Sequence, residues 1–180
     1  TMREIMSHTA GFGYGLGDQH YVDKQFREKE VLRSTGLKQM IDRTASIPLM
    51  FQPGDNWSYS ISVDIQGYIV EKLTGKPFGQ FLQERIFSPL KMNDTFFMVP
   101  QDKTARLGAV YNFDREANKL LEAKELFGNP VPDYTKPPSM ESGGGGLIST
   151  TTDYARFAQM VLNGGELDGV RILSPRTVRY

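Results

Sequence analysis

The chain has 180 residues, enough to enclose one hydrophobic core, and 39% of them are hydrophobic. Lys plus Arg total 21 and Asp plus Glu total 21, so the formal net charge is zero. Nucleic-acid-binding domains carry a basic excess, so this balance argues against a nucleic-acid partner. The absence of cysteine excludes a disulfide framework and any thiolate metal site. No apolar run approaches the ~20 residues that a membrane-spanning helix needs.

Helical periodicity dominates the first half of the chain. In residues 61–69, apolar side chains recur at the i, i+4, i+7, i+8 spacing of a buried helical stripe. Proline follows two of the predicted helices, at Pro48 and Pro89, and stops them because it lacks an N–H donor. A glycine-dense loop, residues 8–15, separates the first two helices. The predicted helices cover residues 1–7, 20–33, 36–46, 61–73 and 77–88.

The second half has weaker patterns. Residues 95–98 and 107–111 are short and β-prone, and residues 112–142 predict mostly loop with one hairpin. Thr150 and Asp153 have the form of a capping box at the start of a further helix. Its core face consists of Tyr154, Phe157, Ala158 and Val161, and Asn163-Gly-Gly165 ends it.

Both ends of the sequence have the pattern of interrupted helices. Residues 1–7 are helical from the first position, and Pro175 stands in the first turn of a helix over residues 174–180. No internal repeat divides the chain. We therefore expect residues 1–180 to be a single domain, or the central part of one, truncated at both ends.

Tyr59 is the main candidate for chemistry. Pro53-Gly54 turns the chain, Trp57 offers a rigid apolar wall, and the predicted helix over 61–73 follows. A free phenol has a pKa near ~10, so it acts as a base at neutral pH only with nearby cations or a lysine relay. Most tyrosines serve only packing. The order of turn, Trp57 and helix would instead place the Tyr59 hydroxyl at the start of the helix, free to react.

The segment Phe51-Gln-Pro-Gly-Asp-Asn-Trp-Ser-Tyr-Ser60, with the following helix, resembles the tyrosine segment of the β-lactamase-related serine hydrolases. This group includes class C β-lactamases, D-alanyl-D-alanine carboxypeptidases, family VIII carboxylesterases and acyltransferases. Each motif is weak alone, but four in the family's order are specific. The other segments that resemble family motifs are Ile5-Met-Ser-His-Thr-Ala-Gly-Phe12, Thr74-Gly-Lys-Pro-Phe78 with Ile86-Phe-Ser-Pro-Leu-Lys-Met-Asn-Asp-Thr-Phe96, and Gly144-Gly-Gly-Leu-Ile-Ser-Thr-Thr-Thr-Asp-Tyr-Ala-Arg-Phe157.

The resemblance implies an α/β (α+β) parent fold of the β-lactamase/transpeptidase type, an antiparallel sheet with flanking helices and a mostly helical subdomain. This chain would supply the helical subdomain with a few short strands. The implied activity is hydrolysis of a small ester or amide through an acyl-enzyme, without metal or other cofactor. Tyr59 would be the proton-transfer residue. The implied pocket candidates are Trp57, Ile61, Gly145 and Gly146.

Two departures from the family pattern bear on activity. The Ser-x-x-Lys nucleophile would precede Thr1, and the late Lys-Thr-Gly or His-x-Gly element would follow Tyr180. We therefore expect no Ser-x-x-Lys spacing, no nucleophile and no hydrolase activity in residues 1–180 alone. Ile61 stands where β-lactamases and peptidases have the asparagine of Tyr-x-Asn, which favours ester over lactam substrates.

Other readings of these residues stay open. His8 is a candidate triad member, but anchoring the glycine loop is the favoured role. Asp64 is either a supporting residue of the site or a carboxylate placed by the helix dipole.

The sequence also argues against a nucleotide or zinc site. The Gly143–Gly146 run lacks the Gly-Lys-Ser/Thr of a phosphate loop, and two histidines without cysteine give no zinc-ligand spacing.

Three further expectations concern the whole molecule. One alternative function is a class C β-lactamase or D-alanyl-D-alanine carboxypeptidase. Another is a catalytically inactive relative that serves as a binding or regulatory module. We also expect exposed apolar surface, with self-association or partial disorder in residues 16–35 and 112–142.

Overall fold

A computed structural model describes residues 1–17, 20–126 and 129–180. The chain divides into two compact units, residues 1–96 with 139–180 and residues 97–138. The part of the expected disorder that falls on residues 18–19 and 127–128 lies outside the described residues. The α-helices are α1 (Met2–Met6), α2 (Tyr21–Glu28), α3 (Leu37–Ala45), α4 (Ser62–Thr74), α5 (Phe78–Leu82), α6 (Thr151–Leu162) and α7 (Pro175–Arg179).

Among the described residues the strands are short and form three antiparallel pairs. They are β1 (Tyr111–Asp114) with β2 (Lys119–Glu122), β3 (Glu125–Leu126) with β4 (Asn129–Pro130), and β5 (Glu166–Leu167) with β6 (Val170–Arg171). The chain is therefore mostly helical with a few short strands, as the sequence predicts.

The first core of the larger unit lies around the start of α4. Ile61 and Ile65 pack there against Leu37 and Met40 of α3, and Phe26 of α2 closes the cluster. Burying such a side chain fully is worth about 1.5–3 kcal/mol. The predicted stripe of α4 is therefore confirmed as a core face. The other buried members are Val22, Val31, Ile47 and Met140.

The predicted helix over 77–88 is not regular throughout. After α5 the chain widens into a π-turn over Gln83–Phe87, in which the Ser88 N–H donates to the Gln83 carbonyl at 2.9 Å. Pro89 has no N–H, and its ring would clash with the Arg85 carbonyl of an α-helix. The widened turn avoids that clash and delivers Leu90 to a second core. That core contains Phe87, Leu90, Met92 and Met160.

Two family-like segments far apart in sequence meet in the larger unit. The Asp153 carboxylate accepts hydrogen bonds from the Asp94 N–H at 2.7 Å and from the Thr95 hydroxyl at 2.9 Å. Phe96 and Ile148 pair by a single β-bridge. The capping box is confirmed only in part: the Asp153 N–H donates to the Thr150 hydroxyl at 3.2 Å, whereas the Asp153 carboxylate binds the distant segment.

The smaller unit, residues 97–138, contains the predicted hairpin as β1 and β2, which pair from Tyr111 with Glu122 to Asp114 with Lys119. In its turn the Asp114 carboxylate accepts from the N–H groups of Glu116 and Ala117, each at 3.0 Å. The expected β structure at 107–111 begins only at Tyr111. A 3₁₀ turn, Gln101–Arg106, precedes it.

Candidate active site

Tyr59 lies in a segment without regular secondary structure, three residues before α4 begins at Ser62, and it is 49% exposed. Two backbone hydrogen bonds fasten this segment to the glycine-dense loop. The Ser58 N–H donates to the His8 carbonyl at 3.0 Å, and the Ile61 N–H donates to the Gly13 carbonyl at 3.1 Å. The phenol is thus fixed at its base while its ring reaches solvent.

The imidazole of His8 packs beside Tyr59. The two ring centroids are 4.9 Å apart, and the Trp57 ring lies 6.1 Å from His8 in an edge arrangement. His8 Nδ1 accepts a hydrogen bond from the Ser60 N–H at 3.2 Å and is 3.1 Å from the Ser60 hydroxyl oxygen. Through these contacts His8 joins the glycine-dense loop to the segment that contains Tyr59.

Tyr14 is a second phenol that the sequence analysis missed. Its ring meets Tyr59 edge-on, with centroids 5.5 Å apart. Burial raises the pKa of Tyr14 strongly, and the negative charges of Asp64 and of an ionised Tyr59 raise it further. Tyr14 is therefore held as a neutral hydroxyl. The available sequence signal was an aromatic residue between two glycines, Gly13 and Gly15.

Asp64 ties α4 to the Gly143–Gly146 segment. Its side chain is fully buried, and Oδ1 accepts from the Ser142 hydroxyl at 2.5 Å and from the Gly144 N–H at 3.2 Å. Oδ2 is also buried and has no hydrogen-bond partner among the described residues. A buried carboxylate with one unsatisfied oxygen is costly, so the helix-dipole account of Asp64 is incomplete.

The glycines of the Gly143–Gly146 segment differ in their surroundings. A Cβ on Gly143 would lie 2.4 Å from the Val63 carbonyl oxygen, and one on Gly144 would lie 2.8 Å from both Asp64 Oδ2 and Tyr14 Oη. Gly145 is exposed and faces open space, while Gly146 is partly exposed. Gly143 and Gly144, rather than the predicted pocket glycines Gly145 and Gly146, therefore pack closely against the start of α4 and against Tyr14.

The other two pocket candidates lie in contrasting places. Trp57 is 65% exposed, so its indole presents apolar surface beside His8 and Tyr59. Ile61 is fully buried in the first core and presents no side-chain surface to a substrate in this structure. The chain still lacks an asparagine amide at this position, but Ile61 is a core residue and not part of a pocket wall.

The expectation that residues 1–180 hold no Ser-x-x-Lys spacing needs correction, because Ser88-Pro-Leu-Lys91 has it. The structure gives this pair a different use. Lys91 has a left-handed backbone, φ 55°, which breaks the helical face that would align a serine with a lysine three residues on. Its ammonium lies 3.7 Å from Asp168, and Ser88 accepts from the Gln83 amide at 2.9 Å.

Within the described residues no group of three or more His, Cys, Asp or Glu side chains is placed to hold a metal ion. In that same part of the chain no helix combines the length and apolar character needed to cross a bilayer.

Substitutions at the adjacent glycines Gly144 and Gly145 test the packing around Asp64 and Tyr14. Gly144→Ala should lower the free energy of unfolding, because the added methyl would meet a carboxylate held by two hydrogen bonds and a half-buried phenol. We expect a loss of about 1–3 kcal/mol, as for overpacking of a close-packed site. Gly145→Ala is the matched control and should change stability by less than about 0.5 kcal/mol. Urea denaturation measures both, and equal losses would contradict the packing described.

Tyr14 also predicts a pH dependence. Its folded pKa is raised above its unfolded value of about 10, so its contribution to stability is complete below pH ~10 and declines above it, where only the unfolded state releases the proton. Relative to wild type, Tyr14→Phe should therefore lose stability less steeply between pH 9 and 11. The exposed phenol of Tyr154 supplies the control, because Tyr154→Phe should leave the slope unchanged. Parallel slopes for all three proteins would refute this account.

Comparison with known proteins assigns the chain to a family. The model of the beta-lactamase family matches residues 1–179. Protein Rv1367c of Mycobacterium tuberculosis is 35% identical over 178 residues, which cover 99% of this chain and 42% of that protein. The lovastatin esterase of Penicillium rubens is 30% identical over 173 residues, covering 93% of this chain and 41% of the esterase.

Solved structures agree with the sequence comparison. A mutant simvastatin synthase from Aspergillus terreus superposes with a TM-score of 0.74 at 25% identity, and the match covers 99% of this chain and 39% of the synthase. The chain thus spans about two fifths of the length of these relatives. Because the family match extends over nearly every residue, the chain belongs to the beta-lactamase family, whose fold is of the β-lactamase/transpeptidase type.

Proposed function

We propose that this chain is the central part of one β-lactamase-like domain in a serine hydrolase that cleaves esters, with Tyr59 as a proton-transfer residue. The observation that carries the proposal is the position of Tyr59. It is half exposed, anchored on both sides by the glycine-dense loop, and flanked by His8 and by a second phenol, Tyr14.

The reaction proceeds in two steps. A serine hydroxyl attacks the ester carbonyl, its proton passes to Tyr59 and a neighbouring lysine, and the departing alcohol takes up a proton as the C–O bond breaks. Water then attacks the acyl-enzyme, gives up its proton to the same groups, and releases the carboxylic acid with the serine hydroxyl restored. In this proposal the serine and lysine come from outside residues 1–180, because Ser88 and Lys91 already have structural partners.

Two features favour esters over lactams as substrates. The residue two positions after Tyr59 is Ile61, which has no side-chain amide and is buried in the core. The exposed indole of Trp57 provides an apolar wall suited to the acyl or alcohol portion of an uncharged ester. The similarity to a lovastatin esterase and a simvastatin synthase supports the same substrate class.

Removal of one hydroxyl tests the role of Tyr59. In the full-length enzyme, Tyr59→Phe should lower kcat for a p-nitrophenyl ester about 10²–10⁴-fold with little change in KM, because proton transfer is lost and the ring is retained. Tyr154→Phe removes an exposed phenol on α6 and should leave kcat unchanged. Residues 1–180 alone should show no turnover. Full activity in Tyr59→Phe, or Tyr59-dependent turnover by residues 1–180 alone, would sink the proposal.

Substrate class is tested separately. The full-length enzyme should hydrolyse short-chain p-nitrophenyl esters with a kcat/KM at least tenfold above that for nitrocefin. The reverse order would select the class C β-lactamase or D-alanyl-D-alanine carboxypeptidase alternative. A full-length sequence without Ser-x-x-Lys ahead of residue 1, together with no turnover of either substrate, would select the inactive binding relative.

A further inference from the structure

We propose that His8 is the positioning residue for Tyr59, as a neutral imidazole that carries its proton on Nε2 and accepts a hydrogen bond at Nδ1 from the Ser60 backbone. This inference rests on the proposed function, since it gives Tyr59 a support whose purpose is proton transfer. It assigns His8 no direct part in the chemistry.

His8 holds both residues that flank Tyr59. Its backbone carbonyl accepts the Ser58 N–H at 3.0 Å, and its ring nitrogen Nδ1 accepts the Ser60 N–H at 3.2 Å. Between these two bonds, the imidazole lies against the Tyr59 ring with an interplanar angle of 32°. His8 thus restrains the chain before Tyr59 through its backbone carbonyl and the chain after Tyr59 through its ring, and the ring also limits the swing of the phenol.

The tautomer follows from the identity of the donor. A backbone N–H can only donate, so Nδ1 must present its lone pair to Ser60, and the ring proton of a neutral imidazole then sits on Nε2. The Ser60 hydroxyl also approaches Nδ1, at 3.1 Å, and is 2.8 Å from the Ser62 hydroxyl. Both contacts are compatible with an accepting Nδ1.

The backbone conformation of His8 limits which residues can replace it without strain. Its φ of 58° is left-handed, a conformation that asparagine adopts more readily than most residues. Asparagine Oδ1 is separated from Cα by the same number of bonds as histidine Nδ1, so it can accept from Ser60. Glutamine places its oxygen one bond farther out, where that bond cannot form without moving the segment.

The kinetic test compares four variants of the full-length enzyme. His8→Ala and His8→Gln should lower kcat about tenfold to a hundredfold with KM nearly unchanged, because a displaced catalytic group loses alignment. His8→Asn should recover most of that loss. His20→Asn, at an exposed cap of α2, is the matched control and should leave kcat unchanged. Equal kcat in His8→Asn and His8→Ala would overturn the proposal.

The second test does not depend on activity. Nitrogen-15 NMR of the histidine side chains in the wild-type full-length protein, with the His8 signal identified by its loss in His8→Asn, should show neutral His8 protonated at Nε2. A proton on Nδ1 would refute the positioning role whatever the kinetics show. Loss of activity in Tyr59→Phe with no effect of any His8 variant would leave the proposed function standing and reject this inference alone.

Discussion

The site depends on a backbone pairing between residues 8–13 and residues 50–61 that is not a regular sheet. Four N–H groups of the later segment donate to carbonyls of the glycine-dense loop, from Met50 to Gly11 at 2.7 Å through to Ile61 and Gly13 at 3.1 Å. Gly11 makes the approach possible, because its φ is 82° and a Cβ there would lie 2.4 Å from the Phe51 carbonyl oxygen. Without this pairing, Tyr59 would lie on a free loop.

A buried carboxylate provides the second tie. Asp64 connects α4 to Ser142 and Gly144, almost eighty positions later. Burial, and to a lesser extent the charge of Asp64, raises the pKa of the neighbouring Tyr14 phenol. The two phenols therefore have different environments. Tyr14 is partly buried beside the Asp64 carboxylate, whereas Tyr59 is half exposed. Such a difference between neighbouring titratable groups is the usual basis for assigning them separate roles in proton transfer.

Sequence reasoning succeeded where the physical cause is local. The apolar stripe of α4, the end of α3 ahead of Pro48 and the β1–β2 hairpin all depend on residues close together in the sequence. It was less successful where distant segments compete for the same group. The Asp153 carboxylate suits a local capping box, yet Asp94 and Thr95 reach it across the fold and bind it instead. Tyr14 beside Tyr59 and the Lys91–Asp168 ion pair were missed because their partners are also distant in sequence.

By itself, the sequence determined the family and the helical character of the chain and singled out Tyr59 as a candidate, because ordered motifs and apolar periodicity are properties of neighbouring residues. Only the tertiary structure decided which groups surround Tyr59. It brought together His8, Tyr14, Asp64 and Gly144, which lie on separate segments, and it placed Ile61 in the core. Hydrogen bonds and close packing between segments distant in sequence set those neighbours, and no local pattern encodes them.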